Sequence, residues 1–140
     1  MSAPDRVEQT LSFHLGQARA ASNRHFAETA ALAGLTHKQV CALWLIADYP
    51  GIAQIDLGQK LQMDRATTMG VVNRLQARGL IRREKSSRDA RKQALHLEPQ
   101  GETALHCARQ AMREHEAWLA RRFTAAERSM LADLLARLHQ

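Results

Sequence analysis

Asp64-Arg65-Ala66-Thr67-Thr68-Met69-Gly70-Val71-Val72-Asn73-Arg74-Leu75-Gln76-Ala77-Arg78-Gly79 runs directly into Leu80-Ile81-Arg82-Arg83-Glu84. The first stretch reads as a helix over 65–78. Asp64 suits the N-cap, because a short carboxylate there accepts from a first-turn N–H. Gly79 closes the helix, as a C-terminal glycine does. The inward face reads as Ala66, Met69, Val72 and Leu75, with Gly70 allowing close approach. After Gly79 the apolar period changes from helical to alternating, so 80–84 and 93–97 read as two strands. Residues 85–92 between them are polar and too many for a tight turn. They form the extended tip of a hairpin.

Working upstream, Asp56 can cap a brief helix containing Leu57 and Leu61, and Met63-Asp64 is the turn into the next one. A short helix, a turn, a second helix and a hairpin make a helix-turn-helix followed by a wing. Thr36-His37-Lys38-Gln39 fits a capping box, opening a helix that carries Val40, Leu43, Trp44 and Ala47 and ends at Pro50-Gly51. Residues 51–54 read as a short extended link. Ser2-Ala3-Pro4-Asp5 reads as the start of a first helix lasting to about residue 33, with Val7, Leu11, Leu15, Phe26, Ala30 and Ala33 as its apolar stripe. Gly34 stops it. Downstream, Pro99 suits the first turn of a helix running to about residue 123. Thr124-Ala125-Ala126-Glu127 is a second capping box before Met130, Leu131, Leu134, Leu135 and Leu138. The expected fold is mainly α (α+β), a winged helix-turn-helix with a two-stranded wing. Its expected parts are an N-terminal dimerisation helix (1–35), a DNA-binding lobe (36–98) and C-terminal dimerisation helices (99–140), all in one compact domain.

The 140 residues are 45% hydrophobic and 24% charged, which suits a globular chain. No apolar run approaches the roughly 18 residues of a membrane span, and residues 1–9 lack a signal peptide's apolar core. A cytoplasmic protein is expected. Net charge is +6. Between Arg65 and Lys92 nine cations face two acids, Glu84 and Asp89, a local balance of +7 that leaves −1 for the rest. A positive patch confined to one segment is what a phosphate backbone selects.

The expected DNA contacts follow from that frame. Arg65, Thr67 and Thr68 stand at the start of the second helix, where base edges of the major groove are read. Asn73 and Arg74 lie further along, near the sugar-phosphate backbone. Arg83 is expected to lower binding to all sequences alike when removed. Arg88, Asp89, Arg91 and Lys92 belong to the cationic hairpin tip, which has the length to reach a minor groove.

Residues 61–68 (LQMDRATT), 72–83 (VNRLQARGLIRR) and 88–92 (RDARK) resemble the multiple-antibiotic-resistance regulator (MarR) family, the last matching that family's Asp-x-Arg wing signature. The chain departs from the family's usual Leu-Thr after the second wing strand, having Leu97-Glu98, which touches only the cap of the next helix. The resemblance implies an obligate homodimer, a pseudo-palindromic operator, and Arg91 entering the minor groove while Asp89 orients it. Dimerisation has independent support, since long amphipathic segments before Thr36 and after Pro99 have no obvious partner within a small winged lobe.

No catalytic motif is found, so no enzymatic role and no cofactor is expected. The seven histidines show no metal-ligand spacing. His106-Cys107 with Glu114-His115 is a poor set, because adjacent helical residues point apart. Cys41 and Cys107 leave two readings open, a thiol switch or burial as small hydrophobes. Arg19 falls on the apolar stripe of the first helix, with Ser22 on the same side and His14 at its border. A charge there is rare unless paired. It is either a salt-bridge or snorkelling residue, or the floor of a pocket for an anionic effector that His37 would also face. In relatives implied by the resemblance, small organic ligands, often aromatic acids, bind between the dimer helices and the winged lobe. The expected function is therefore a DNA-binding repressor released by such an effector or its thioester. A thiol-sensing regulator and a non-sensing architectural DNA-binding protein are the alternatives.

Overall fold

The computed structural model describes residues 5–140. The helix start expected at Ser2, Ala3 and Pro4 lies outside the described residues. In order come a 3-10 turn (Val7–Gln9), α1 (Leu11–Thr29), α2 (His37–Asp48), β1 (Ile52–Ala53), α3 (Gln54–Lys60), α4 (Arg65–Ala77), β2 (Ile81–Lys85), β3 (Gln93–Leu97), α5 (Pro99–Ala120) and α6 (Ala125–Ala136). The fold is the mainly helical winged helix-turn-helix that the period change at Gly79 predicts.

Local chemistry sets most boundaries. Thr36 and Gln39 form the expected capping box at α2, as do Thr124 and Glu127 at α6. Asp64 caps α4, its Oδ1 accepting from the Thr67 N–H at 2.7 Å. Glu98 gives α5 no side-chain cap, while Pro99 occupies the first turn. The first helix is shorter than expected at both ends. Extended backbone at Thr10 separates the 3-10 turn from α1, and its Oγ1 accepts from the Phe13 N–H at 3.0 Å. The helix stops at Thr29, and the chain turns through Ala30 to Gly34, whose φ of 63° is the left-handed region. Asp56 is not the cap of α3. Ala53 holds that position without a side-chain bond, and Asp56 lies inside the first turn.

The link before α3 supplies a third strand. Ile52 pairs with Leu95 and Ala53 with Ala94, giving an antiparallel sheet in the order β1-β3-β2. In the hairpin Ile81 pairs with Leu97 and Lys85 with Gln93. Phe26, Val40, Leu43, Ile46, Leu57, Val72, Leu75, Ile81, Leu95 and Leu105 form one core beneath the sheet and between the helices.

The inward face of α4 also differs from expectation. Ala66 and Met69 are exposed, and Thr68, Val72 and Leu75 turn inward at helical spacing. Gly70 faces open space. The close approach is at Gly58 on α3, where a methyl group would sit 2.5 Å from Thr68 Oγ1. The two helices of the helix-turn-helix thus touch through a glycine and a threonine.

Candidate nucleic-acid interface

The N-terminus of α4 is set by Asp64. Hydrogen bonds from the Thr67 N–H and hydroxyl, and from the Ala66 N–H, hold its carboxyl below the usual carboxylate range. This fixes the first turn, on which Arg65 and Thr67 are exposed. Thr68, expected at a base edge, is 3% exposed and donates to the Asp64 carbonyl oxygen at 2.7 Å. Burial against Gly58 turns it into a packing residue. Arg74 is exposed in the last turn.

The wing is ordered by its own hydrogen bonds. Ser86 N–H donates to the Lys92 carbonyl at 3.0 Å, and Ser86 Oγ accepts from the N–H groups of Arg88 and Asp89. Asp89 Oδ1 accepts from the Arg91 backbone N–H at 3.0 Å and from its Nε at 3.2 Å. Those bonds lower the Asp89 pKa, with Lys92 adding to them. The Arg91 side chain stays 91% exposed while tethered at its root. Arg88 and Lys92 are exposed beside it.

The two parts converge. A groove of about 530 Å³ is lined by α3, the first turns of α4 and the wing, including Arg65, Met69, Arg91 and Lys92. Arg83 and Asn73 behave otherwise. Arg83 lies on the same side of β2 as buried Ile81, and its guanidinium donates to Gln54, Asn73 and Gln76. Asn73 Oδ1 is therefore occupied from within the protein.

A second cluster lies between α1, α2 and α5. His25 and His115 approach at 2.8 Å between their Nδ1 atoms, so one ring carries the proton there and the other accepts it. Ser22 Oγ lies 3.0 Å from His115 Nε2. Trp118 stacks on His25 at 4.0 Å between centroids, and the Arg122 guanidinium caps the outer face of Trp118 at 3.8 Å. Phe26 meets both His37 and His115 edge-on. Burial depresses the His115 pKa, with His25 and His37 adding to it. Burial and then Lys38 depress that of His37, against a smaller opposite effect of Glu116.

Of the four expected effector residues, Ser22 and His37 reach this cluster. Arg19 and His14 do not. Both are exposed in the single chain, so Arg19 is not on a buried stripe. The stripe breaks because α1 begins at Leu11 and only its last turns meet the core, at Phe26. His25, His115 and Trp118 were missed, although Ser22, His25, Phe26 and Thr29 recur at helical spacing. Cys41 lies 3.8 Å from His37 Nδ1, and burial pushes its pKa up, which disfavours the reactive thiolate. Among the described residues no group of three or more His, Cys, Asp or Glu could hold a metal ion, and no helix is long and apolar enough to cross a membrane.

A capped recognition helix, a wing with a tethered arginine and a shared cationic groove define a winged helix-turn-helix DNA-binding protein. Residues 33–92 match the sequence profile of the MarR family. A putative transcriptional regulatory protein for the hcr operon of Thauera aromatica is 37% identical over 131 residues, 93% of this chain and 79% of that protein. The chain belongs to the MarR family of transcriptional regulators, which are DNA-binding proteins and not enzymes. A probable transcriptional regulator from Pseudomonas aeruginosa superposes with a TM-score of 0.89 at 34% identity, covering 95% of this chain and 99% of that one. The repressor CouR, solved on a 23-mer DNA duplex, gives a TM-score of 0.89 at 25% identity over 100% and 99% of the two chains. CouR bound to p-coumaroyl-CoA gives 0.89 at 24% identity with the same coverage.

Proposed function

We propose that the chain is a homodimeric repressor in the cytoplasm that holds a pseudo-palindromic operator and is released by a small aromatic acid or its thioester. The observation that carries the DNA part is the groove that Arg65 shares with Arg91. It lets the start of α4 enter a major groove while the wing arginine enters the adjacent minor groove. Arg65 and Thr67 then meet base edges, and Arg74, Arg88 and Lys92 meet the backbone. CouR, with a DNA-bound and a thioester-bound structure, supports the same pairing of partners.

For the effector, the aromatic column of Trp118, His25 and His115 is the feature that suits a planar ring. Ser22 and His37 supply polar edges. Arg19 is one turn before Ser22 on α1, and its exposed side chain would meet the carboxylate or thioester tail of a ligand held at this cluster. A ligand that seats better in one spacing of the two winged lobes shifts the dimer toward that spacing.

The test begins with a duplex selected by the wild-type protein from a randomised pool. Arg91→Ala is expected to lower affinity for it about tenfold and to flatten the salt dependence, without changing the melting temperature. Unchanged affinity across a salt titration would remove the wing from the interface. 4-Hydroxybenzoate and p-coumaroyl-CoA are then added as probes. One of them is expected to release the duplex and to quench Trp118 in a Trp44→Phe background. Release that survives Arg19→Ala undiminished would exclude Arg19 from the site. Failure of both probes, and of a wider set of aromatic acids, would favour a non-sensing architectural protein.

A further inference from the structure

We propose that Arg83 positions the recognition helix against the wing through its three-pronged guanidinium, and is not a ligand of DNA phosphate. The inference rests on the DNA-binding reading and adds to it the residue that sets the geometry of the interface.

The guanidinium carries five N–H groups in a rigid plane. Here each of its three nitrogens spends one of them on a different side chain. Nε donates to Gln54 Oε1 at 3.1 Å, Nη2 to Asn73 Oδ1 at 2.6 Å, and Nη1 to Gln76 Oε1. Gln54 is the first residue of α3, and Asn73 and Gln76 are one turn apart on α4. The root of the side chain is fixed as well, because Arg83 follows buried Ile81 on the inner side of β2 and pairs with Leu95 of β3. One planar group therefore ties both helices of the helix-turn-helix to the strand from which the wing extends.

Arg82 shows what an outward arginine on this strand does. It points to the other side of the sheet, where Glu84 at 2.7 Å and Glu98 at 3.6 Å neutralise it. Among the described residues no carboxylate pairs with Arg83. All three of its acceptors are neutral amide oxygens, which orient a guanidinium without cancelling its charge. Arg65 and Arg91 must reach adjacent grooves together, so a change in the angle between α4 and the hairpin weakens specific contacts. Loose counterion-type binding tolerates that change.

Lysine separates the two roles. It keeps the charge, which suffices for a phosphate, but a single ammonium cannot span three acceptors in a plane. Arg83→Lys is expected to lower affinity for the selected duplex about tenfold while leaving a random duplex of equal length within about twofold. The slope of log affinity against log salt should stay at the wild-type value. Gln76→Ala, at an exposed position, should move the selected-to-random ratio in the same direction by less. Combined with Arg83→Lys it should add almost nothing, because both remove one network. A merely destabilising change would lower binding to both duplexes alike and leave their ratio in place. The proposal is overturned if Arg83→Lys binds the selected duplex like wild type. It is equally overturned if Arg83→Gln alone reduces the salt slope by about 1.8, the loss of one phosphate per subunit of a dimer. If the wild-type protein selects no duplex, the DNA reading fails before Arg83 is tested.

Discussion

The winged lobe and the C-terminal arm treat the same residue type in opposite ways. Leu43, Leu57, Leu75 and Leu95 have no exposed surface. On α6 and the turn after it, Met130, Leu131, Leu134, Leu135 and Leu138 remain 39–69% exposed, and that helix buries no residue. The lobe is closed on itself: sheet, helices and caps satisfy one another. The arm has a strong start signal and an apolar face that the described residues leave largely uncovered. Each such side chain gains roughly 1.5–3 kcal/mol when covered. In the homodimer proposed above, a capped helix with an uncovered apolar face is one half of an interface, and a two-fold axis would supply the other half from a second copy.

The largest effect should come from attacking the arm. Leu134→Glu places a charge at the centre of the face formed by Leu131, Leu135 and Leu138. Sedimentation is expected to show a monomer at micromolar concentration. Affinity for the selected duplex should fall about a thousandfold, because one half-site alone approaches non-specific binding. Circular dichroism should keep the signature of a folded lobe. A stable Leu134→Glu dimer would break the contrast and return α6 to solvent.

A smaller effect should come from the lobe, through packing alone. Gly101 is buried at the start of α5, where a methyl group would run into the Leu80 carbonyl oxygen and sit 2.7 Å from Leu97 Cδ1. Backbone cannot yield there as a flexible side chain does. Gly101→Ala is expected to cost about 3 kcal/mol, a melting-temperature drop of about 10 °C, with the dimer intact below the transition. Gly70→Ala, facing open space on α4, is the control and should not destabilise. Equal melting temperatures for the two variants would mean that the lobe is less tightly closed than its burial implies.

These regions were also unequal in how plainly they could be read from sequence. The caps at Thr36, Asp64 and Thr124, and the period change after Gly79, are local signals, and the structure places them where sequence did. Thr68 and Arg83 are held by the protein's own groups, which composition did not show, for a shared reason. Both are polar residues within a cationic stretch, and composition alone directs them to DNA. Phase would have corrected them: Thr68 is four before Val72 and seven before Leu75, and Arg83 is two after Ile81. Arg19 differs from expectation in its burial, being exposed in the single chain. The stripe on α1 has a gap after Leu15, and the break at Thr10 with the late contact at Phe26 leaves most of that helix outside the single-chain core. Groups assembled from distant segments, such as Gln54 with Arg83 or Ser22 with His115, leave no trace in local spacing. Arg78 is a further case, its Nη1 donating to the Gly34 carbonyl oxygen at 2.7 Å across 44 residues.

The smallest predicted effect lies where lobe and arm join. His115, 1% exposed on α5, faces Ser22 and His25 of α1, His37 of α2 and Trp118 of its own helix. The charged groups near His37 are Lys38 and Glu116, with opposite effects on it. Both His115 and His37 are held below the ordinary value of about 6.5, chiefly by burial. The unfolded chain therefore binds protons first as pH falls. The neutral cluster costs no stability above about pH 6.5, and stability declines below it until the folded-state values are passed. A charged His115 carries an N–H on both ring nitrogens, so it meets Ser22 and His25 only as a donor. The melting temperature of the wild-type protein should fall between about pH 7.5 and about pH 5.5. His115→Gln retains a partner for Ser22 and removes one titrating ring, so its decline over the same interval should be shallower, whatever its absolute melting temperature. Parallel melting curves for wild type and His115→Gln would show that the proton-linked boundary between lobe and arm is not at this cluster.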